Sequence, residues 1–400
     1  MKRSNTILAA AFLLVLGAMA AYTALGLGTI RWTIVDAWHA RGEQPGDTIL
    51  TKIEFAADQT EGALNAALDR EHYFIQLYGA VQRATGQRLI EDSYSYNVVR
   101  MDNGSLSFGT MGLGQQDVSH NAMKVVGLAQ ALAEYDIPVT ASMAPQKVLQ
   151  DTEPLPGALR DYHNLEADQY LSVIAEHGIH TIDLRDEMEV VHSRDFFVTD
   201  HHWTAHGAFQ ANGILTSALA EAYGFDVFET GLDSESYTVS VLEDYFLGSQ
   251  GKRVGTLYAG VDDFAIYHPT FDTSFRHQVA NTEIDLSGTL EETLYFPGYL
   301  VYDLFNASPY SYFAGGDLGK ATITNRNNPD GPRVVMLRDS FACAITPFLA
   351  LQCGELTTID LRAYEGEDLV ADIAQMDPDF VLVFYSPTTT TSDNMFEFIK

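Results

Sequence analysis

The stretch "RVVMLRDSFACAITPFLA", Arg333 to Ala350, decides the fold. Val334, Val335, Met336 and Leu337 form an unbroken apolar run of strand length, as expected for a strand covered on both faces. Asp339 and Ser340 turn the corner, and "FACAITPFLAL" (Phe341–Leu351) reads as a helix despite Pro347. A serine at such a turn stands at the carboxyl edge of a sheet, where α/β proteins place reactive groups. The N–H groups of the new helix start are then available to an oxyanion. The bland reading of Ser340 is a helix N-cap, a position both Asp and Ser suit.

The same alternation extends in both directions. Downstream, "LTTIDLR" (Leu356–Arg362), "EGEDLVADIAQM" (Glu365–Met376) and "FVLVFYS" (Phe380–Ser386) read as strand, helix and strand. Upstream, "IPVTASMA" (Ile137–Ala144) and "IHTIDLR" (Ile179–Arg185) are strand-like. They flank "ALRDYHNLEADQYLSVIAEHG" (Ala158–Gly178), a helical pattern stopped by glycine. Thr204 suits the N-cap of a further helix that ends at Gly224. Alternating strands and helices predict an α/β fold with a parallel sheet covered on both faces. Residues 225–330 break the pattern. Rich in Tyr, Gly, Asp and Thr, they predict a β or irregular insertion that overhangs the site.

Lys plus Arg number 23 against 54 Asp plus Glu, a formal net charge of −31. Such a chain repels nucleic acid and anionic lipid, so no phosphate-backbone partner is expected. Lys2 and Arg3 precede Ser4–Ile30, which carries no charged residue. As a helix that run spans roughly 40 Å, enough to cross a bilayer with tilt. Residues 1–31 therefore predict a membrane anchor with the remainder outside, or a signal peptide cleaved after Ala18-Met19-Ala20. Residues 32–68 read as a connecting region, and 69–400 as the exported domain. Cys343 and Cys353 lie ten apart across a predicted helix, roughly 15 Å of rise. A disulfide needs Cα atoms within about 7 Å, so two buried thiols are expected.

"FFVTDHHWTAHGAFQ", Phe196 to Gln210, concentrates the candidate chemistry. A serine hydroxyl needs a base, and the base needs a group that fixes its tautomer. In an extended loop residues i and i+2 share a side, so Asp200 can reach His202 while His201 points elsewhere. Asp200, His202 and His206 form a rival metal set, with two histidines at i,i+4 spacing but no clear fourth ligand. A polar helix start without chemistry is the third reading.

The segment resembles the signature of the DHHW family, which is similar to the periplasmic alginate O-acetyltransferases and to SGNH-type hydrolases. "IPVTASMAPQKVLQD", "TIDLRDEM", "FLGSQGKRVGTLY", "LRDSFACAITPFLA", "IDLRAY" and "VLVFY" resemble further family blocks in the expected order. The resemblance implies an SGNH-like, flavodoxin-like sheet in permuted order, because Asp and His precede the serine. It implies Ser340 as nucleophile, His202 as base and Asp200 as the orienting carboxylate. Trp203, Lys147 and Arg338 follow as substrate-binding or structural residues; Arg338 stands where SGNH hydrolases carry glycine. Asn103 and Asn325 are oxyanion candidates by residue type alone.

The resulting expectation is an exported, membrane-anchored O-acyltransferase acting on a cell-envelope or secreted polysaccharide. Its acyl donor would be a multi-pass membrane O-acyltransferase, and neither metal nor other cofactor is required. The alternatives are an SGNH-type carbohydrate esterase and a catalytically silent carbohydrate-binding protein.

Overall fold

A computed structural model describes residues 71–90, 97–109, 114–148, 155–156 and 159–398, with six isolated positions before residue 71. The chain divides into two compact units, Met1–Ile75 and Gln76–Lys400. The expected anchor or signal peptide and the connecting region lie outside the described residues, those isolated positions apart. Among the described residues no helix is long and apolar enough to cross a membrane.

The second unit holds thirteen described strands. They are β1 (Leu89–Ile90), β2 (Asn97–Arg100), β3 (Leu106–Gly109), β4 (Val139–Met143), β5 (His180–Asp183), β6 (Tyr237–Phe246), β7 (Asp262–Pro269), β8 (Phe275–Val279), β9 (Asp285–Gly288), β10 (Lys320–Asn325), β11 (Arg333–Arg338), β12 (Glu355–Ile359) and β13 (Phe380–Tyr385). Eight of them form one sheet in the order β5-β4-β13-β11-β12-β10-β8-β9. From β5 to β12 every neighbouring pair is parallel; β10, β8 and β9 continue the edge antiparallel. Part of the 225–330 stretch thus extends the main sheet, while β6 and β7 pair as a separate two-stranded sheet.

Helices α1 (Ser119–Ala133), α2 (His163–Glu176), α3 (Ala205–Tyr223), α4 (Ser249–Val254), α5 (Ala342–Gln352) and α6 (Leu369–Met376) accompany the sheets. The two-residue strand period sorts the core into two layers. Val334 and Met336 of β11 and Phe380, Leu382 and Phe384 of β13 join one cluster with α3 and α5. Val335, Leu337, Val381, Val383 and Tyr385 face the other way, onto α1, α2 and α6. Every residue of β13 and α5 is buried, which explains why both are mostly apolar; the two amide- or hydroxyl-bearing residues of α5, Thr346 and Gln352, bond to backbone carbonyls. Cys343 and Cys353 are buried free thiols.

Helix α3 begins as local chemistry dictates. The Thr204 hydroxyl accepts from Gly207 N–H at 3.2 Å, and Gly224 closes the helix in the left-handed region at φ 74°. Gly207 is also a close approach: a Cβ there would stand 2.4 Å from the Asp195 carbonyl oxygen. That contact seats the start of α3 against the loop that carries the histidines.

Candidate active site

Strand β11 lies inside the parallel run, between β13 and β12, and the chain leaves its carboxyl end through Asp339 and Ser340 into α5. Asp339 makes the turn. Its Oδ1 accepts from Phe341 N–H at 2.9 Å. Its Oδ2 accepts from Ser386 N–H, Ser386 Oγ and Thr389 Oγ1 at 2.7–2.8 Å. The corner after β11 is thereby tied to the corner after β13, and Ser340 is left half-buried at the sheet edge.

The loop after β5 delivers the histidines to that edge. His202 Nε2 lies 2.8 Å from Ser340 Oγ, and His202 Nδ1 lies 2.5 Å from Asp200 Oδ1. Asp200 Oδ1 also accepts the His202 backbone N–H, and Oδ2 accepts Ser249 N–H at 2.6 Å. The α4 turn sits so close that a Cβ on Gly248 would stand 2.2 Å from Asp200 Cβ. Burial pushes the Asp200 carboxyl up, but the His201 and His202 rings and the bonds from His202 and Ser249 hold it well below the usual carboxylate range. An ionised Asp200 on Nδ1 leaves Nε2 to take a proton from Ser340.

The loop itself is fastened twice. The buried Asp262 carboxylate accepts Val198 N–H, Thr199 N–H and Thr199 Oγ1. Lys147 donates from Nζ to the carbonyls of Leu106 at 2.6 Å and Val198 at 3.2 Å. Burial pushes the Lys147 ammonium down to about 8, against the pull of Asp262 and Asp200. Its bonds are those of a clamp between β3 and the histidine loop. Trp203 is fully buried and donates Nε1–H to the Phe341 carbonyl. Arg338 is 2% exposed and turned to Asp317 and the Gly316 carbonyl.

Four expectations are corrected. His201 does not point away: its ring lies 3.8 Å from that of His202, and its Nδ1 lies 3.1 Å from Ser249 Oγ. The set Asp200, His202 and His206 does not assemble, because His206 belongs to Asp195, 3.3 Å away. Asn325 donates to the Ala350 and Leu351 carbonyls, and its backbone N–H to Gly354, at the opposite edge of the sheet. Asn103 caps the turn between β2 and β3 through Ser105 N–H. Of the amides around the new helix start, Phe341 and Ala342 bond back to Asp339 and Cys343 to Ser340. The Ser340 N–H keeps no partner among the described residues and is the amide left for an oxyanion.

One participant had no sequence signal. Tyr310 stacks on the His202 ring at 4.1 Å and 14° and stands 108 positions away within the irregular stretch. Ligand atoms of Asp200, His201 and His202 lie within 4.8 Å of one another, a spacing that a metal ion can share. His202, however, spends Nδ1 on Asp200 and Nε2 on Ser340.

The fold is that of an SGNH-hydrolase-like domain, and the chain is similar to enzymes of the O-acetyltransferase kind. An SGNH hydrolase-like domain model, acetyltransferase AlgX, matches residues 110–241, and the DHHW protein model matches residues 184–357. The resemblance seen in the motifs therefore holds. Bacillus cereus PatB1 with a sulfonyl adduct is similar at 20% identity and TM-score 0.62, over 78% of this chain and 99% of that one. A DHHW family protein from Eubacterium siraeum is similar at 18% identity and TM-score 0.56, over 77% and 95%. Among curated proteins there is no match.

Proposed function

We propose that this chain is an exported, membrane-anchored O-acyltransferase, transferring acetyl groups to hydroxyls of a cell-envelope or secreted polysaccharide. The observation that carries the reading is the unbroken row Ser340–His202–Asp200, with hydrogen bonds of 2.8 and 2.5 Å. His202 Nε2 takes the proton of Ser340 as Oγ attacks the acyl carbonyl of the donor. The donor's leaving group departs with that proton, and acetyl-Ser340 remains. A sugar hydroxyl then gives its proton to His202 and attacks the ester carbon; the Oγ–acyl bond breaks, and Ser340 Oγ takes that proton back from His202 Nε2. Asp200 stays ionised and steadies the imidazolium in both halves. No step calls on a metal or other cofactor.

Acetyl thioesters are made inside the cell, and the site stands outside in this reading. A multi-pass membrane O-acyltransferase would carry the acetyl group across and present it to Ser340. The N-terminal segment would hold the site nearby, at an effective concentration on the order of millimolar for a short linker. The test is intact mass after exposure to an activated acetyl ester, followed by glycan O-acetyl content with and without that membrane partner. An acetyl adduct on Ser340 and partner-dependent acetylation are expected. No adduct would defeat the nucleophile. Free acetate released from acetylated glycan, without transfer to an acceptor, would assign an esterase.

A further inference from the structure

A narrow cleft opens beside the row. Its interior is about 50 Å³, and its mouth is open to solvent. His201 and Phe341, the sequence neighbours of His202 and Ser340, form part of its wall.

Gln250 forms another part. It is 1% exposed, and its Oε1 has no hydrogen-bond partner among the described residues. Buried amide oxygens are nearly always paired, so one facing a cleft calls for a ligand group that completes it. The turn that holds Gln250 is the one that holds the row, since the preceding Ser249 bonds Asp200 and His201. Gln250 therefore follows directly on the residue that fixes Asp200.

The wall is chemically two-sided. Phe108 and Phe341 offer aromatic surface, while Gln250, Asp161 and Thr388 offer hydrogen-bonding atoms. A sugar ring has the matching character, with C–H faces and a rim of hydroxyls. Charge narrows the class further. Lys147 lines the cleft but spends its ammonium on two backbone carbonyls. His163 pairs with Glu166, and Arg253 lies over the Phe108 ring at 5.6 Å. The Asp161 carboxyl stands in the wall, held by Gln146 Nε2 and His163 N–H. With a net charge of −31 on the chain, a uronate or phosphorylated sugar meets repulsion.

We propose that this cleft is the acceptor subsite and takes a neutral sugar ring, its hydroxyls on the Gln250 amide and its C–H face on the aromatic wall. The proposal rests on the acyl-transfer reading of Ser340. The full-length Ser340→Ala chain binds without turnover, so calorimetric titration with neutral cello- and chito-oligosaccharides reads the subsite directly. Oligo-uronates of equal length serve as the comparison. Neutral glycan should bind, with the uronate about tenfold weaker or worse. Adding Gln250→Leu should weaken neutral binding about tenfold. Thr388→Trp, an exposed change, should block the cleft without disturbing buried packing. Neutral binding untouched by both substitutions, tighter uronate binding, or no glycan binding at all overturns the subsite. A missing acetyl adduct on wild-type Ser340 would instead sink the acyl-transfer reading and leave the titration standing.

Discussion

Ser340 Oγ and His202 Nε2 lie 2.8 Å apart although 138 positions separate them in the chain. Ser340 makes few other demands on the structure: it follows a turn held by Asp339 and precedes a helix held by packing. Ser340→Ala should therefore fold as the parent does and lose acyl transfer by about 10⁴-fold. Melting curves and transfer rates from the same preparation check this. Retained activity, or an unfolded variant, would refute it.

The three histidines should separate cleanly. His202→Ala should match Ser340→Ala, about 10⁴-fold down, while His201→Ala, which loses a ring packed at a tilt against the base, should cost about tenfold. His206→Ala should change activity about twofold or less, its partner being the remote Asp195. Equal losses at His201 and His202, with stoichiometric metal in the purified protein by mass spectrometry, would instead favour a metal ion on Asp200, His201 and His202.

Tyr310 acts on the reaction through the His202 ring that it covers. Its hydroxyl reaches the Phe341 carbonyl only at 3.3 Å, so Tyr310→Phe should stay near the parent. Tyr310→Leu removes the stacking face and should lower kcat about tenfold with little change in KM. Rescue by Phe and not Leu is the diagnostic result; equal behaviour of the two would remove the positioning role.

Lys147 carries a pH signature. Its folded value of about 8 lies below its ordinary 10.5, so between those values the unfolded chain binds more protons and stability rises with pH. The penalty, on the order of 3 kcal/mol, is fully present below about pH 8 and gone above roughly pH 10.5. Denaturant melts of the parent and Lys147→Met at about pH 7 and about pH 10 should show the parent gaining relative to the variant. A constant difference between the two would show that the ammonium is not desolvated.

Much of this protein is written locally. The apolar runs of β11 and β13, the Thr204 cap and the Gly224 stop act over a few residues, through strand period and backbone geometry. The DHHW segment likewise holds Asp200 beside His202 locally, through a bend in which the Asp200 carboxylate takes both the backbone N–H and the Nδ1 of His202. The tertiary structure alone decided the rest. Packing across the sheet brought Ser340 to His202 and turned His201 onto its neighbour. It also laid Tyr310 over the base, spent Lys147 on two carbonyls and sent Asn325 to the far edge. Those outcomes depend on which distant surfaces fit together, and a pattern confined to neighbouring residues carries no term for that fit.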